Sequence, residues 1–288
     1  MGSLFRRSEF VSFPVLAICL FVVIGCTDGD PTDVPTTGNA NNGHSTPRPR
    51  QSHADDVRVM KLVDRSRSAA TTNEGRDQLF NEALDLLQHD GLTNRVIDMV
   101  TLIADNLYRH DEPHFADALD RIGASIRKRN AKRFAFKASR LEGIARRLRS
   151  PGKAFELTGT TLDGKPLDWK AYQGKVVLVD YWETRCVPCI EEFNNIRKNY
   201  ARFHDRGFEL VSISMDIDRD EVRQFIQKHK IPGTTLFDSR GYGQPMALKY
   251  GVTTVPTVFL VGRDGKVVSR SIHGPKLERL LLQLLTDH

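Results

Sequence analysis

Two cysteines separated by two residues, Cys186 and Cys189, are the side chains whose type and spacing point most directly to chemistry. A pair at this spacing can close into a disulfide and reopen, which is the chemistry of thiol-disulfide exchange. The pair follows an apolar run at residues 176–181 and precedes a helical pattern. The first turn of a helix stabilises a thiolate through free backbone N–H groups and the positive end of the helix dipole. We therefore expect Cys186 to attack and Cys189 to resolve the mixed disulfide.

Other uses of the same motif fit less well. A zinc site would need further ligands at matching spacing, and the chain has no second Cys-x-x-Cys. Attachment of a c-type haem would need histidine after the second cysteine, where Ile190 stands. A purely structural disulfide across so short a loop would restrict the unfolded chain only slightly. Pro188 suits an early helical position, where its missing N–H has no partner to lose. We expect a redox-active disulfide, with no metal and no other cofactor.

The amino-terminal segment has the features of a secretory signal over residues 1–25. Arg6 and Arg7 precede an apolar run at residues 10–24 that is too short to span a bilayer comfortably. The run ends in Gly25-Cys26, which resembles the box of bacterial lipoproteins, where the cysteine is lipidated and becomes the mature terminus. The alternatives to a lipoprotein signal are an ordinary cleaved signal and an uncleaved apolar anchor. Each would place the protein in the cell envelope, facing the periplasm or the exterior, and a lipid on Cys26 would tether it to the membrane.

This segment also simplifies the cysteine count. Of the four cysteines, Cys19 lies in the predicted signal and Cys26 would carry lipid. Only Cys186 and Cys189 are then left in the folded part. Thiols outside the cytoplasm tend to be oxidised, so an isolated pair at this spacing favours a redox function over packing.

Composition divides the remaining chain into three parts. Residues 26–52 are rich in Pro, Thr, Asn and Gly and predict a disordered tether. Residues 53–150 show helical periodicity, with Thr93 and Asp111 as candidate caps, and predict a helical domain of four or five helices. Its apolar stripes consist of Leu79, Ala83, Leu86 and Leu87, then Val96, Val100, Ile103 and Leu107, then Phe115, Ala118, Leu119, Ile122 and Ile126.

Basic residues are concentrated at the end of the helical region. The 288-residue chain has a formal net charge of +6, and eleven Lys or Arg residues against one acid, Glu142, lie between residues 121 and 149. Such a face is usually solvated, and it could also approach anionic lipid headgroups. Nucleic acid is not an expected partner outside the cytoplasm. The apolar positions of this segment, predicted to share one helix face, are Phe134, Phe136, Leu141, Ile144 and Leu148.

Residues 151–288 change to alternating apolar runs and helical patterns. The runs at residues 176–181, 209–215 and 257–261 predict strands. Helical patterns lie at about residues 189–204, 219–229, 244–250 and 275–285. Asp264-Gly265 predicts a hairpin after the third strand. The order predicts an α/β domain with a mixed central sheet flanked by helices.

The segment LVDYWETRCVPC, at residues 178–189, resembles the active site of the thioredoxin superfamily, specifically the TlpA/ResA-like membrane-tethered thiol-disulfide oxidoreductases in their lipoprotein form. The resemblance covers residues 151–288 and implies a thioredoxin-like fold. Trp182 matches the family's tryptophan. Asp180 matches the buried acid of thioredoxin, which implies that it assists proton transfer at the resolving cysteine. Burial would raise the pKa of this carboxyl, which suits that task near neutrality.

A second match lies far along the chain, at Val255-Pro256, just before the predicted third strand. The resemblance implies that Pro256 follows a cis peptide bond and faces the cysteine pair. It also implies that the backbone of Val255 pairs with an extended client segment. Trp182 and Pro188 are expected to belong to the same client-binding surface.

Two charged residues depart from the family pattern. Arg185 stands where an aromatic residue is common, and Glu183 replaces a small residue after the tryptophan. Their charges act on the Cys186 thiolate with opposite signs, so the direction of the net pKa shift stays open. The dipeptide Val187-Pro188 also differs from the Gly-Pro of thioredoxin, which leaves open the reduction potential and whether the protein acts as reductant or oxidant.

The resemblance implies an enzyme that reduces disulfides of envelope proteins and receives electrons from a donor in the membrane. One alternative is a peroxiredoxin-like thiol peroxidase, which would require Pro-x-x-x-Thr/Ser-x-x-Cys, whereas Trp182 and Glu183 occupy the approach to Cys186. The other is a partner-binding module in which the helical region recruits a protein and the cysteine pair acts as a switch.

Overall fold

The computed structural model describes residues 50–68, 72–88, 92–129 and 132–286. The predicted signal, Cys26 and the predicted tether up to residue 49 lie outside these ranges. Arg48–His288 form one compact unit. Within the described ranges, no helix has both the length and the apolar character needed to cross a membrane.

The first half of the described chain is helical, as predicted. Its helices are α1 (Arg50–Arg67), α2 (Asn73–Asp85), α3 (Asn94–Tyr108), α4 (Glu112–Lys128) and α5 (Ala135–Leu148), with short 3-10 turns at Leu86–Gln88 and Lys132–Phe134. Thr93 caps α3 by accepting a hydrogen bond from the N–H of Val96 at 3.2 Å. Asp111 caps α4 through the N–H of His114 at 3.4 Å. The predicted stripes meet in one apolar core, and α1 begins two residues before the predicted end of the tether.

The basic side chains of this region largely join its helices to one another. Arg127 pairs with Glu142 at 2.6 Å, and Arg149 pairs with both Asp117 and Asp120. Arg129 donates a hydrogen bond to the carbonyl oxygen of Leu87, and Arg133 donates one to that of Leu92. Lys137 forms an ion pair with Asp98. These basic residues therefore stabilise the bundle as well as facing solvent.

The second half is built on a five-stranded mixed sheet. Its strands are β1 (Val176–Trp182), β2 (Phe208–Ser214), β3 (Thr234–Phe237), β4 (Thr257–Val261) and β5 (Val267–Ser269), in the spatial order β3-β2-β1-β4-β5. Strands β1, β2 and β3 run parallel, and β4 and β5 are antiparallel to their neighbours. The helices of this half are α6 (Val187–Phe203), α7 (Arg219–His229), α8 (Pro245–Lys249) and α9 (Pro275–Thr286). Apolar clusters cover both faces of the sheet, so the thioredoxin-like fold is confirmed.

One strand of the sheet was not predicted. Four residues after Pro232-Gly233 give too short a pattern to indicate strand β3. The segment before β1 forms a short hairpin, with a bridge from Thr160 to Pro166. A further bridge joins Thr161 to Leu236 of β3. This segment therefore covers the edge of β3, which would otherwise expose unpaired backbone groups.

Helix α5 packs by direct backbone contact against α8 and against Gly251, which lies two residues after the end of α8. A Cβ atom on Gly143 of α5 would overlap the carbonyl oxygen of Leu248 and the backbone of Gly251. Gly251 has a φ of +56°, and a Cβ there would overlap the backbone of Gly143 and Ile144. Arg146 also donates a hydrogen bond to the carbonyl oxygen of Lys249 at 2.6 Å. Because backbone atoms cannot rotate away, this contact fixes the position of α5 against the sheet domain.

The predicted apolar face of α5 is confirmed except at one residue. Phe134, Leu141 and Leu148 are buried and Ile144 packs against the core. Phe136 is 48% exposed, so its assignment to the buried face was wrong. It lies two residues from Phe134, and such residues point to nearly opposite sides of a helix.

The close contact at Gly143 predicts a difference between two glycine-to-alanine substitutions in neighbouring helices. Gly143→Ala should lower the free energy of unfolding by about 1–3 kcal/mol, since the new methyl group meets backbone. Gly123→Ala in α4 is the control, because its methyl group would meet the side chain of Glu142, which can move. Both substitutions gain about 1 kcal/mol of helix propensity. Urea unfolding followed by circular dichroism measures the difference, and equal stability of the two variants would contradict the argument.

Candidate active site

The cysteine pair lies at the junction between β1 and α6. Strand β1 ends at Trp182, and Cys186 is the residue that caps the amino terminus of α6. The Sγ atom of Cys186 accepts a hydrogen bond from the N–H of Cys189 at 3.2 Å. The two sulfurs form a disulfide, with 5.2 Å between the Cα atoms. The sulfur of Cys186 therefore receives the donor groups of the helix terminus that favour a thiolate.

The two cysteines differ in accessibility. Cys189 is 1% exposed, whereas Cys186 is partly exposed and its neighbour Val187 is 63% exposed. A sulfur in a large partner molecule could therefore reach Cys186 but not Cys189. The attacking thiol must be accessible to the client, whereas the resolving thiol needs to reach only the sulfur of Cys186, so this difference in exposure fits the two roles.

Asp180 is buried beneath this junction. Side chains alternate along a strand, and Val176, Leu178 and Trp182 belong to the same apolar cluster as Cys189. Asp180 shares their parity, so it lies on the face of the sheet that α6 covers. It is 2% exposed, and its Oδ1 atom has no hydrogen-bond partner among the described residues. Burial raises the pKa of Asp180 well above its ordinary value, and the charge of Glu192 raises it further.

Glu192 is a site residue that the sequence interpretation missed. Its carboxylate accepts hydrogen bonds from the N–H of Gly274 at 3.0 and 3.1 Å and from Nδ2 of Asn195 at 2.8 Å. The same Nδ2 donates to the carbonyl oxygen of Gly274. This group joins α6 to the start of α9 and places a charge near Asp180. Its position three residues after Cys189, on the same side of a helix, was the available signal.

Trp182 is fully buried under the cysteine pair. Its ring lies edge-on to Phe193 at 5.1 Å and packs against Phe225 at the same distance. Direct contact between Trp182 and a client therefore finds no support in the exposure of its side chain. The tryptophan forms part of the apolar floor on which Cys186 and Cys189 lie.

The Val255–Pro256 peptide bond is cis, as predicted. Strands β1 and β4 pair Tyr181 with Thr257, so Pro256 lies at the end of β1 from which the chain continues to the cysteines. Val255 and Cys186 pack against the same apolar cluster. The fold thus brings together residues that the sequence separates widely.

Hydrogen bonds fix the chain between β1 and Cys186. The N–H and the hydroxyl of Thr184 both donate to the carboxylate of Asp216, which follows β2, and the hydroxyl lies 2.8 Å from Oδ1. The hydroxyl of Ser214 also donates to Asp216, at 2.9 Å. Thr184 therefore ties the segment before the cysteines to the end of the neighbouring strand.

The two charged departures from the family pattern each have a partner. The side chain of Arg185 is 86% exposed and lies 3.6 Å from the carboxylate of Glu221. Glu183 accepts a hydrogen bond from Tyr242, and burial together with this bond raises the pKa of the tyrosine. The charge of Arg185 is thus partly balanced by Glu221, whereas Glu183 keeps its charge and has a neutral hydrogen-bond donor in Tyr242.

Comparison with known proteins identifies relatives of this chain. The Redoxin family model matches residues 148–281. Thiol-disulfide oxidoreductase ResA of Bacillus thuringiensis is 31% identical over 121 residues, which cover 42% of this chain and 68% of the relative. ResA of Bacillus subtilis is 30% identical over 106 residues, covering 37% and 58%. A solved thioredoxin domain of a Bacteroides vulgatus thiol-disulfide oxidoreductase is 25% identical, covers 47% of this chain and 97% of its own, and superposes with a TM-score of 0.44.

The raised pKa of Asp180 predicts how stability depends on pH. The folded protein keeps this carboxyl protonated at pH values where the unfolded chain has already ionised it. The unfolded state then binds fewer protons, so the free energy of unfolding falls as pH rises from about 4 towards the folded pKa. Asp180→Asn removes this loss and should be more stable than the wild type at pH 8, by on the order of 1–3 kcal/mol.

Urea unfolding of the oxidised protein at pH 4 to 8 measures this effect. At pH 4 the advantage of Asp180→Asn should be small. Asp163→Asn, which removes an exposed carboxyl, is the control and should follow the wild-type curve at every pH. Parallel curves for the wild type and Asp180→Asn would contradict a protonated, buried carboxyl.

Proposed function

The chain belongs to the ResA-like thiol-disulfide oxidoreductases, and from that premise we propose that it is a membrane-tethered enzyme that reduces disulfides of proteins in the cell envelope. The observation that carries the proposal is the Cys186–Cys189 disulfide at the amino terminus of α6, with only Cys186 accessible. Protein-disulfide oxidoreductase activity follows from the family. The direction of the reaction, the clients and the tether are the parts that we propose.

The exchange begins from the dithiol form. The Cys186 thiolate attacks one sulfur of a client disulfide, the client S–S bond breaks, and one client thiolate leaves. The client is then bound to Cys186 through a mixed disulfide. Cys189 loses its proton and attacks the sulfur of Cys186, which releases the second client thiolate. Two electrons pass to the client, and the enzyme ends with the Cys186–Cys189 disulfide.

We assign the proton of the second step to Asp180. Cys189 is buried, so water reaches its thiol poorly, and the carboxyl lies on the same side of the sheet. A carboxyl with a raised pKa can accept and return a proton near neutral pH, which an ordinary exposed aspartate does less well. The charge of Glu192 supports this assignment, because it raises the pKa of Asp180 further.

The client segment would lie across the exposed part of the junction. Val187 and Pro188 are exposed beside Cys186, and Val255 borders the same cluster. An extended client segment would pair with the backbone of Val255 next to Pro256. Return to the dithiol requires two electrons from a donor, which we place in the membrane in agreement with a tethered enzyme.

The two cysteines predict different effects on activity. Cys186→Ser should abolish the reduction of insulin disulfides by the enzyme with dithiothreitol as electron source, because no other thiol is accessible in the site. Cys189→Ser should attack once and then stop, so that clients accumulate as mixed disulfides on Cys186. Gel electrophoresis without reductant and mass spectrometry of trapped clients measure this. Insulin reduction by Cys186→Ser at the wild-type rate would contradict the assignment.

The peroxidase alternative is separated by a second measurement on the same proteins. The reduced wild type should consume hydrogen peroxide in stopped-flow experiments only as fast as ordinary thiols do. Much faster consumption that depends on Cys186, together with no trapped client, would favour the peroxidase. Equilibration of the wild type with glutathione then determines whether the pair acts as reductant or oxidant.

The tether predicts a difference between two cysteine substitutions outside the described residues. Cys26→Ser should abolish incorporation of labelled fatty acid and shift the protein from the membrane fraction of the cell. Cys19→Ser is the matched control and should keep both properties, since it lies within the predicted signal. A Cys26→Ser protein that stays in the membrane at its full, unprocessed mass would indicate an uncleaved apolar anchor instead.

A further inference from the structure

Exposed apolar side chains follow the carboxyl ends of the three parallel strands. Val187 comes after β1 and is 63% exposed, and Ile217 comes after β2 and is 75% exposed. After β3 the chain forms a 3-10 turn at Gly241–Gly243, against which the 48% exposed Phe136 of α5 lies. The carboxyl ends of neighbouring parallel strands meet at one edge of a sheet. Val187, Ile217 and Phe136 therefore lie along the same edge as Cys186, and we call them the apolar strip.

Intervening residues connect the members of the strip. Asp216, which precedes Ile217, is hydrogen-bonded to Thr184, two residues before Cys186. A Cβ on Gly241 would lie 3.5 Å from Cγ2 of Ile217, and a Cβ on Gly243 would lie 4.0 Å from the ring of Phe136. Between these glycines, the side chain of Tyr242 donates a hydrogen bond to the carboxylate of Glu183. The path from the cysteines to Phe136 is thus continuous.

The position of Phe136 is determined by the packing of its helix. The contact between Gly143 and Gly251 holds α5 against the sheet domain, and Arg146 binds the carbonyl oxygen of Lys249. The guanidinium of Arg140 lies over the ring of Phe136, 5.9 Å from its centre. Phe136 is therefore presented beside the redox site by a rigid element.

We propose that the apolar strip binds apolar side chains in the extended client segment that flanks the cysteine under attack, and that Phe136 is a specificity-determining residue supplied by the helical region. This inference rests on the proposed function, since a client must bring its sulfur to Cys186. Its neighbouring residues must then lie on the surface around Val187, and the strip continues from there.

An unfolded segment is the occupant that this surface fits. Cysteine is among the most buried residue types, so the residues around a client cysteine are often apolar and become exposed when the client is unfolded or wrongly oxidised. A folded client presents mostly polar side chains at its surface. An apolar strip beside the nucleophile would therefore favour clients in which the disulfide has to be broken before the chain can fold.

The experiment uses two synthetic peptides of equal length and charge. Each has one central cysteine joined by a disulfide to 5-thio-2-nitrobenzoate, with Leu and Val beside the cysteine in one peptide and Ser and Gly in the other. With the reduced full-length protein in excess, Cys186 attacks the peptide sulfur, 5-thio-2-nitrobenzoate leaves, and Cys189 then releases the peptide thiol as the Cys186–Cys189 disulfide forms. The rate of this single turnover at increasing protein concentration gives the maximal rate and the protein concentration that gives half of it. The symmetrical reagent 5,5′-dithiobis(2-nitrobenzoate) serves as a substrate that has no peptide segment.

We expect the wild type to prefer the apolar peptide, and Phe136→Asp to raise the protein concentration needed for half the maximal rate with that peptide by at least about fivefold, the effect of losing a typical important interface side chain. The rate with the symmetrical reagent should not change. Phe136→Leu should restore the preference, and Ile217→Asp should weaken it independently. Val268→Asp, at a 39% exposed position on the edge strand β5, is the matched control and should behave as the wild type.

The outcomes separate the two claims. If the wild type shows no preference between the peptides, or if Phe136→Asp keeps the full preference, the strip does not bind clients. If the reduced wild type fails to react even with the symmetrical reagent, or if Cys186→Ser reacts as fast as the wild type, the proposed function fails instead.

Discussion

The pairing of β1 with its two neighbours is the constraint on which the whole site depends. β1 lies at the centre of the sheet, and its last residues pair with Ser214 of β2 and Thr257 of β4. After β1 the chain enters the turn that contains the cysteines. On the other side of β1, Pro256 comes directly before Thr257, the first residue of β4. A change of register by one residue would turn Asp180 to the opposite face and move the cysteines away from Val255. Register thus decides whether the site exists.

Burial then gives each group at the junction a different chemical character. Cys186 lies at the helix terminus with access from solvent, so its thiolate is stabilised and can be reached. Cys189 and Asp180 are closed off from water, which disfavours their ionised forms. Because the pKa of Asp180 is raised, its carboxylate is a strong enough base to accept the proton of the buried Cys189 thiol and to return it afterwards. The difference in burial therefore assigns the attack on the client to Cys186 and the resolution of the mixed disulfide to Cys189.

The sequence was sufficient for features that depend on local pattern. Long apolar runs predicted β1, β2 and β4, and polar residues before apolar stripes predicted the caps at Thr93 and Asp111. Features that depend on distant contacts were missed. Strand β3 is defined by its pairing with β2, and Glu192 by its bonds to a residue 82 positions away. Gly143 resembled any helical glycine, because nothing near it in the sequence indicates that Gly251 will lie against it.

The same contact changes how the helical region should be understood. A separate module would need only a flexible connection to the sheet domain, yet α5 meets Gly251 through backbone, without intervening side chains. Gly251 begins the loop that leads to Val255 and Pro256, so a displacement of α5 would move the loop that borders Cys186. The end of α5 that carries Phe136 lies near the turn at Gly241–Gly243, in which Tyr242 is hydrogen-bonded to Glu183. The helical region therefore adjoins the redox site on two sides, and its packing is a structural requirement for the site as well as for the bundle.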